Sequence, residues 1–248
     1  QPKSFDSMEK FLDSNIQAVS ICSPYNLHYD HIMSCLNKNI FVFVEKPFFW
    51  DLSNQKNLYK KIESIKNHKN RKIMVNFNNS KIINGIDSLP KKNEINYFEF
   101  NFCTNGNNIY IDILIDLLPH ALSILTEILG LRVINNLNKK IKKNSTFLSF
   151  NYGKTLVKFL FSQSRYFNKE MIIKVNKNIY KRAQDGNGAT YKLSMFDVTN
   201  NKNYFLEDTM KSSIKSFISL YKDFKINKKD CFEEAEININ LMNDIIYS

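Results

Sequence analysis

A charged tripeptide, Glu45-Lys46-Pro47, directly follows an apolar run at residues 40–44 that is typical of a buried strand. In open parallel sheets, ligands bind at the carboxyl ends of the strands. A charged pair is costly to desolvate, so a strand end that faces a cleft is where such a pair is expected. The proline fixes the turn, and a cis bond there would aim the lysine side chain. An ordinary solvated turn is the alternative interpretation.

A second polar loop, Ser23-Pro24-Tyr25-Asn26-Leu27-His28, follows the apolar run at residues 18–22. Two neighbouring parallel strands would deliver both loops to the same edge of the sheet, where they indicate a cleft. His28 taken alone fits equally well as a packing histidine at the start of a helix.

Three ionisable residues, Asp112, Asp116 and His120, recur at intervals of four in an otherwise apolar helical segment. This spacing puts them on one ridge of the helix. An aspartate one turn from a histidine can orient the imidazole and stabilise its charged form. The apolar remainder of the helix favours a wet cleft, and a solvated outer ridge is the alternative. Pro119 should kink the helix just before His120.

The elements that position these residues fall into two groups. In the first group, strands at 18–22, 40–44 and 72–77 alternate with helices, which predicts a parallel sheet with crossover helices. The second group predicts a mainly antiparallel sheet around one long helix that Gly130 ends. The predicted helices of the first group cover 5–14, 27–36 and 53–65. The predicted elements of the second group are strands at 96–103, 131–135, 145–150, 155–162, 170–175 and 191–198, and helices at 112–129, 208–221 and 231–247.

The predicted fold class is therefore α/β: an incomplete Rossmann-type parallel sheet, followed by an α+β domain with a mainly antiparallel open sheet. The boundary is placed near residues 79–94, which gives a domain over 1–80 and a second over 81–248.

The composition narrows the class of protein. The 248 residues carry a formal charge of +11, but the lysines are spread along the chain together with an excess of Asn and Ile, which indicates a general compositional bias. The four cysteines lack the spacing of a zinc site, so no metal is expected. The most apolar stretch contains too many ionisable groups for a lipid span, and the first residues lack the apolar core of a signal peptide. We expect a cytoplasmic protein that binds neither nucleic acid nor membrane.

Three motifs in order resemble the glucose–fructose oxidoreductase, inositol dehydrogenase and MocA (Gfo/Idh/MocA) family. Ser23-Pro24 with His28 matches its [T/S]-P-x-x-x-H loop, Glu45-Lys46-Pro47 matches its E-K-P, and Asp116 with His120 matches its D-x-x-x-H helix. The resemblance implies an oxidoreductase that uses NAD or NADP. It implies catalytic roles for Lys46, His120 and Asp116, and a place along the cofactor for Ser23, Pro24, His28, Glu45 and Lys46.

The resemblance also implies a reaction at a secondary hydroxyl of a sugar, polyol or related small molecule, and a homo-oligomer formed through the sheet of the second domain. Lys46 and His120 would then meet across one crevice and act on the same alcohol. A non-catalytic sugar-binding or assembly relative is the alternative. A purely structural role does not require this trio, so its retention favours the enzyme.

The chain also departs from the family pattern. No G-x-G-x-x-G motif is present, and the sequence begins with Gln, so we expect a fragment whose parent protein is the enzyme. The glycine pair that often precedes D-x-x-x-H is replaced by Tyr110-Ile111. The arginine that often follows the third strand is replaced by Asn78-Asn79-Ser80, and both changes bear on substrate identity.

Overall fold

The computed structural model describes residues 3–51, 55–186, 190–227 and 230–248, and the side chains at 225–227 are not part of that description. The chain divides into two compact units. The first comprises Gln1–Asn76 and Ile214–Ile239, and the second comprises Phe77–Ser213 and Asn240–Ser248. The division predicted at residue 80 treated each domain as one continuous stretch, whereas the first unit also takes up residues from near the carboxyl terminus.

The first unit contains a three-stranded parallel sheet with strand order β1-β2-β3. Crossover helices connect the strands, as predicted. β2 and β3 are almost entirely buried, whereas only Ile21 is buried in β1. The predicted start of one helix, Ser53, lies outside the described residues. The elements of this part are α1 (Met8–Leu12), β1 (Ala18–Ile21), α2 (Tyr25–Asn37), β2 (Phe41–Glu45), α3 (Gln55–Lys66) and β3 (Ile73–Asn76).

Two helices close the chain, α5 (Thr209–Asn227) and α6 (Phe232–Tyr247). Within the first unit, Phe41 of β2 meets Phe217 and Phe224 of α5 edge to face, with ring centroids 5.3 and 5.4 Å apart. Aromatic pairs of this geometry add to the stability that burial alone provides. These contacts explain why a late segment of the chain joins the first unit.

The second unit is built on an eight-stranded sheet with order β11-β10-β9-β8-β4-β7-β6-β5. All neighbouring pairs are antiparallel except β4 and β7, which are parallel, so the mainly antiparallel sheet is confirmed. A 3₁₀ segment, Asn78–Gly85, precedes the sheet. The strands and the long helix are β4 (Tyr97–Thr104), α4 (Ile111–Leu129), β5 (Ile134–Lys142), β6 (Ser145–Tyr152), β7 (Thr155–Gln163), β8 (Glu170–Val175), β9 (Asn178–Asp185), β10 (Lys192–Asp197) and β11 (Lys202–Leu206).

Two of these strands, β9 and β11, were not predicted, and β5 extends well beyond the predicted 131–135. All three are rich in polar residues and expose most of their side chains, so the alternation that marks a half-buried strand is weak in them. β5 and β11 are the two edges of the sheet, where charged side chains are common. Neighbouring strands, rather than local pattern, order these segments.

The helix α4 forms the centre of the second unit. Most of its side chains are buried, and it ends at Gly130, whose φ of 67° favours glycine. The helix runs without a break through Pro119, so the proline does not end it. The position of Asp116 and His120 is therefore fixed by one continuous, well-packed element.

Candidate functional site

Lys46 lies at the carboxyl end of β2, in the middle of the parallel sheet, as predicted. The Lys46–Pro47 peptide bond is cis, and Lys46 itself is half-buried. The preceding residue, Glu45, pairs in register with Asn76 at the end of β3, and Asn76 donates its Nδ2 hydrogen to Glu45 Oε1 at 2.7 Å. Asn76 is fully buried, so this bond fixes the carboxylate beside the lysine.

The loop after β1 is joined to the turn after β2 through His28. The imidazole is 1% exposed; its Nε2 lies 2.7 Å from Ser23 O, and its Nδ1 lies 3.0 Å from Pro47 O and 3.2 Å from Phe48 O. Pro24 is exposed at the N-cap of α2, and the Ser23 hydroxyl bonds to His31 Nδ1 at 2.9 Å. The structure thus brings the two predicted loops together at one edge of the sheet.

His120 is held in the second unit. The side chain is 8% exposed, so a solvated outer ridge is the wrong interpretation for this residue. Its Nδ1 lies 2.9 Å from Nδ2 of Asn79, and its ring meets Phe102 of β4 edge to face, with centroids 5.5 Å apart. Asn79 belongs to the 3₁₀ segment before the sheet and is itself buried.

Asp116 lies one turn before His120 and receives hydrogen bonds from two amides. Asn108 Nδ2 and Gln163 Nε2 each lie 3.2 Å from Asp116 Oδ2. Gln163 also donates to Thr104 Oγ1 at 3.0 Å, and a Cβ at Gly106 would come within 2.4 Å of its amide. The loop after β4 therefore needs glycine at that point to pack against Gln163. Asp112, the first residue of the predicted ridge, is half-buried.

Residue Gln163 ends β7 with its side chain buried, and its Oε1 accepts no hydrogen bond within the described part of the chain. Sequence reasoning missed this residue and Asn79, although each carried a signal. Gln163 continues the inward-facing alternation of Val157, Phe159 and Phe161, where an amide is out of place. Asn79 stands in the Asn78-Asn79-Ser80 replacement that the sequence had already marked.

The predicted site residues thus form two sets. Ser23, Pro24, His28, Glu45 and Lys46 belong to the first unit, whereas Asp116 and His120 belong to the second. That Lys46 and His120 act on one alcohol stays a prediction.

The described residues were also considered as metal ligands and as membrane-spanning helices. Across the residues that the structure describes, no group of three or more His, Cys, Asp or Glu side chains could hold a metal ion. No helix in the same ranges is both long and apolar enough to cross a membrane.

Comparison with known proteins adds a family match and a structural likeness. Residues 1–77 match the family model described as the Gfo/Idh/MocA oxidoreductase family with an NAD-binding Rossmann fold. A search of curated proteins found no match.

Among solved structures, UDP-N-acetylglucosamine 3-dehydrogenase GnnA from Acidithiobacillus ferrooxidans aligns with a TM-score of 0.66 at 13% identity, over 98% of this chain and 81% of that one. An oxidoreductase from Thermotoga maritima aligns with a TM-score of 0.68 at 16% identity, over 100% of this chain and 81% of that one. The 3-ketoreductase KijD10 from Actinomadura kijaniata was solved with TDP-benzene and NADP. It aligns with a TM-score of 0.63 at 13% identity, over 98% of this chain and 80% of that one.

The parallel sheet followed by a second, mainly antiparallel sheet is the architecture that this chain shares with these solved structures. Residues 1–77, which carry two of the three motifs, match the Gfo/Idh/MocA family model, in agreement with the resemblance drawn from the sequence. The structural likeness, at these identities, shows that the same fold extends over the whole chain.

The family is NAD-binding, in agreement with the predicted cofactor, NAD or NADP. The residues present fit one part of such a cofactor, because the loops after β1 and β2 meet at the carboxyl edge where dinucleotides bind. The sequence contains no glycine-rich G-x-G-x-x-G turn for the pyrophosphate.

Proposed function

We propose that this chain supplies the nicotinamide side and the substrate side of an NAD(P)-dependent oxidoreductase that acts on a secondary hydroxyl of a sugar, polyol or related small molecule. The observation that carries the proposal is the position of Lys46. Lys46 directly follows the central parallel strand and lies inside the segment that matches an NAD-binding family. Asn76 holds the neighbouring Glu45 carboxylate in place.

In the reaction a base takes the proton from the alcohol oxygen. The hydrogen on the same carbon leaves as hydride and is transferred to the nicotinamide. The chemistry of hydride transfer is the cofactor's own. The protein contributes the proton step and the orientation of the alcohol, and a well-placed acid or base accelerates such a step by about 10²–10⁴-fold. Lys46 would donate a hydrogen bond to the alcohol oxygen, and His120 would exchange the proton.

Asp116 would bind a second hydroxyl of the substrate. The sequence left open whether it orients His120 or binds substrate. Its Oδ2 receives the Asn108 and Gln163 amides, while Asn79 is bonded to the Nδ1 atom of His120. A carboxylate fixed by amide donors is a suitable acceptor for a sugar hydroxyl, because its remaining lone pairs keep a defined direction.

On the cofactor side, Glu45 would line the nicotinamide ribose pocket, and Ser23 and Pro24 would lie along the cofactor. His28 is buried and faces backbone carbonyl oxygens. Its part in cofactor binding would therefore be indirect: it would hold the loop of Ser23 against the turn of Pro47.

Nucleotide-linked sugars are the first substrates to test. GnnA is a UDP-N-acetylglucosamine 3-dehydrogenase, and KijD10 is a 3-ketoreductase solved with a TDP compound. Both names concern a redox reaction at position 3, on UDP-N-acetylglucosamine for GnnA and at a keto group for KijD10. The replacement of Tyr110-Ile111 and Asn78-Asn79-Ser80 in this chain supports testing free sugars and polyols beside them.

The test combines cofactor binding with turnover. NADH and NADPH are titrated into the protein by fluorescence, and turnover is then measured with UDP-sugars, free sugars and polyols. We expect Lys46→Met and His120→Ala to lower kcat by about 10²–10⁴-fold. The loss of turnover should far exceed any loss of cofactor affinity, because both side chains are proposed to act on the reacting alcohol. The exposed α3 residue Lys60, changed to Met, is the control.

Equal losses of turnover and cofactor affinity in Lys46→Met would contradict the catalytic role. Cofactor binding without turnover on any of the three substrate classes would favour a non-catalytic sugar-binding or assembly role. Because the sequence contains no glycine-rich turn for the pyrophosphate, the deciding titration uses a chain extended upstream to include such a turn. Absence of binding to either cofactor there would overturn the proposed function itself.

A further inference from the structure

The Asn79 side chain forms a hydrogen bond with Nδ1 of His120. Its Nδ2 lies 2.9 Å from Nδ1 of the imidazole, and both side chains are more than nine-tenths buried. The two residues are 41 positions apart in sequence, on the 3₁₀ segment before the sheet and on α4. A buried hydrogen bond between side chains fixes both groups, because breaking it would leave two polar atoms without partners.

The identity of the donor determines where the ring carries its proton. An amide NH₂ group only donates, so the Nδ1 atom that faces it must present its lone pair. A neutral imidazole has one N–H, which must then be on Nε2. Nε2 is thus the nitrogen that would donate to, or exchange a proton with, a substrate oxygen.

We propose that Asn79 is a positioning residue that holds neutral His120 in the Nε2–H tautomer. This inference rests on the proposed function, in which His120 exchanges a proton with the substrate alcohol. In this state the ring donates a hydrogen bond from Nε2 to a carbonyl or alcohol oxygen.

An amide suits this position because it donates to the lone pair of Nδ1 without adding charge. An aspartate in its place would accept from Nδ1–H and so favour the opposite tautomer and the imidazolium. An arginine would present only donors and a fixed positive charge, which would disfavour the imidazolium.

Phe102 fixes the other degree of freedom of the ring. It meets the imidazole edge to face at 5.5 Å between centroids, and β4 and α4 both belong to the second unit. With Nδ1 bonded to Asn79 and the ring packed on Phe102, the direction in which Nε2 points is set before any substrate binds. Such advance orientation is the main contribution that a supporting residue can make to a proton transfer.

Nitrogen NMR of the imidazole rings tests the inference directly. The protein contains four histidines, and labelling them with ¹⁵N gives four rings, of which His120 is assigned by its loss in His120→Gln. At a pH where the ring is neutral, we expect an unprotonated Nδ1 and a protonated Nε2 in the wild-type protein. Asn79→Asp should move the proton to Nδ1 and so interchange the two nitrogen shifts.

The neighbouring substitution Asn78→Asp is the matched control, and it should leave the His120 pattern unchanged. A wild-type ring protonated on Nδ1 would overturn the inference, as would the same interchange in Asn78→Asp. The wild-type spectrum alone decides the tautomer should Asn79→Asp not fold. The measurement needs neither cofactor nor substrate, so its outcome is separate from the test of the proposed function.

Discussion

At the scale of single residues, the most constrained group in the first unit is the buried ring of His28. Both of its nitrogens face backbone carbonyl oxygens: Nε2 faces Ser23, and Nδ1 faces Pro47 and Phe48. A neutral ring can donate at one nitrogen only, whereas an imidazolium donates at both. In either state the ring joins the loop after β1 to the turn that carries Lys46.

Replacing this ring should therefore affect stability and cofactor binding together. We expect His28→Ala to lower the free energy of unfolding by about 1–3 kcal/mol, because buried carbonyl oxygens lose their donor. It should also weaken NADH binding, since the Ser23 and Pro47 loops are no longer joined. Urea denaturation and fluorescence titration measure the two effects.

The control is His31→Ala, which removes a half-buried ring bonded to the Ser23 hydroxyl and leaves the carbonyl contacts in place. It should change both quantities less. If His28→Ala weakens neither folding nor cofactor binding, the proposed joining of the two loops is wrong.

At the scale of elements, the hairpin of β10 and β11 shows how a buried carboxylate orders a strand that its own sequence specifies poorly. Asp197 at the end of β10 is fully buried and accepts the backbone N–H groups of Thr199 and Asn200 at 3.0 Å each. Its other oxygen accepts from Ser88 Oγ and Asn200 Nδ2, both at 2.8 Å. The turn that returns the chain into β11 is thus held by one side chain.

These contacts predict a pH-dependent contribution to stability. Burial alone would raise the pKa of Asp197, but hydrogen bonds from Asn200, Ser88 and Thr199 outweigh it, and the net pKa is lowered. A group with a lowered pKa in the folded state stabilises the protein above its unfolded pKa, about 3.9 for Asp. That contribution is lost as the pH falls through the folded pKa.

We expect Asp197→Asn to cost about 1–3 kcal/mol of unfolding free energy at pH 7, because one amide oxygen cannot accept all four donors. The difference from wild type should shrink as the pH falls below about 4. Urea denaturation at a series of pH values measures it, with Asp30→Asn on the exposed face of α2 as control. A difference that stays constant down to pH 3 would show that the ionised carboxylate is not the cause.

At the scale of the whole molecule, the predicted homo-oligomer concerns the face of the eight-stranded sheet away from α4. Leu156 and Leu160 of β7 are 38% and 41% exposed there, and Leu160 pairs in register with Phe147 of β6. A cavity of about 260 Å³ on this face is lined by Phe147 and Leu160 with Lys140, Lys142, Ser145 and Ser162. Self-association through the sheet stays a prediction from the family resemblance.

A charge placed on this face should weaken self-association. We expect Leu160→Glu to lower the mass measured by light scattering to that of one chain, since burying a carboxylate in place of an apolar side chain is costly even near Lys140 and Lys142. Val133→Glu, at a position 70% exposed before β5, should leave the mass unchanged. An oligomer that survives Leu160→Glu would place the interface elsewhere.

Local sequence patterns were sufficient to predict the two kinds of sheet and the long apolar helix that ends at Gly130. They also predicted the loops that carry Lys46 and His28. Period-two and period-3.6 patterns and the glycine at the helix end are local signals, so they can be read without the rest of the chain. Strands β9 and β11 could not be predicted in this way, because they are polar edge or near-edge segments that neighbouring strands order.

The side chains that bond to His120 and Asp116 could be identified only from the packing of the folded chain. Asn79 reaches His120 across 41 residues, and Gln163 reaches Asp116 across 47. No spacing rule relates residues so far apart, since their contact depends on how the 3₁₀ segment and β7 pack against α4. The same reason explains why Phe217 and Phe224, late in the chain, complete the core around Phe41 in the first unit.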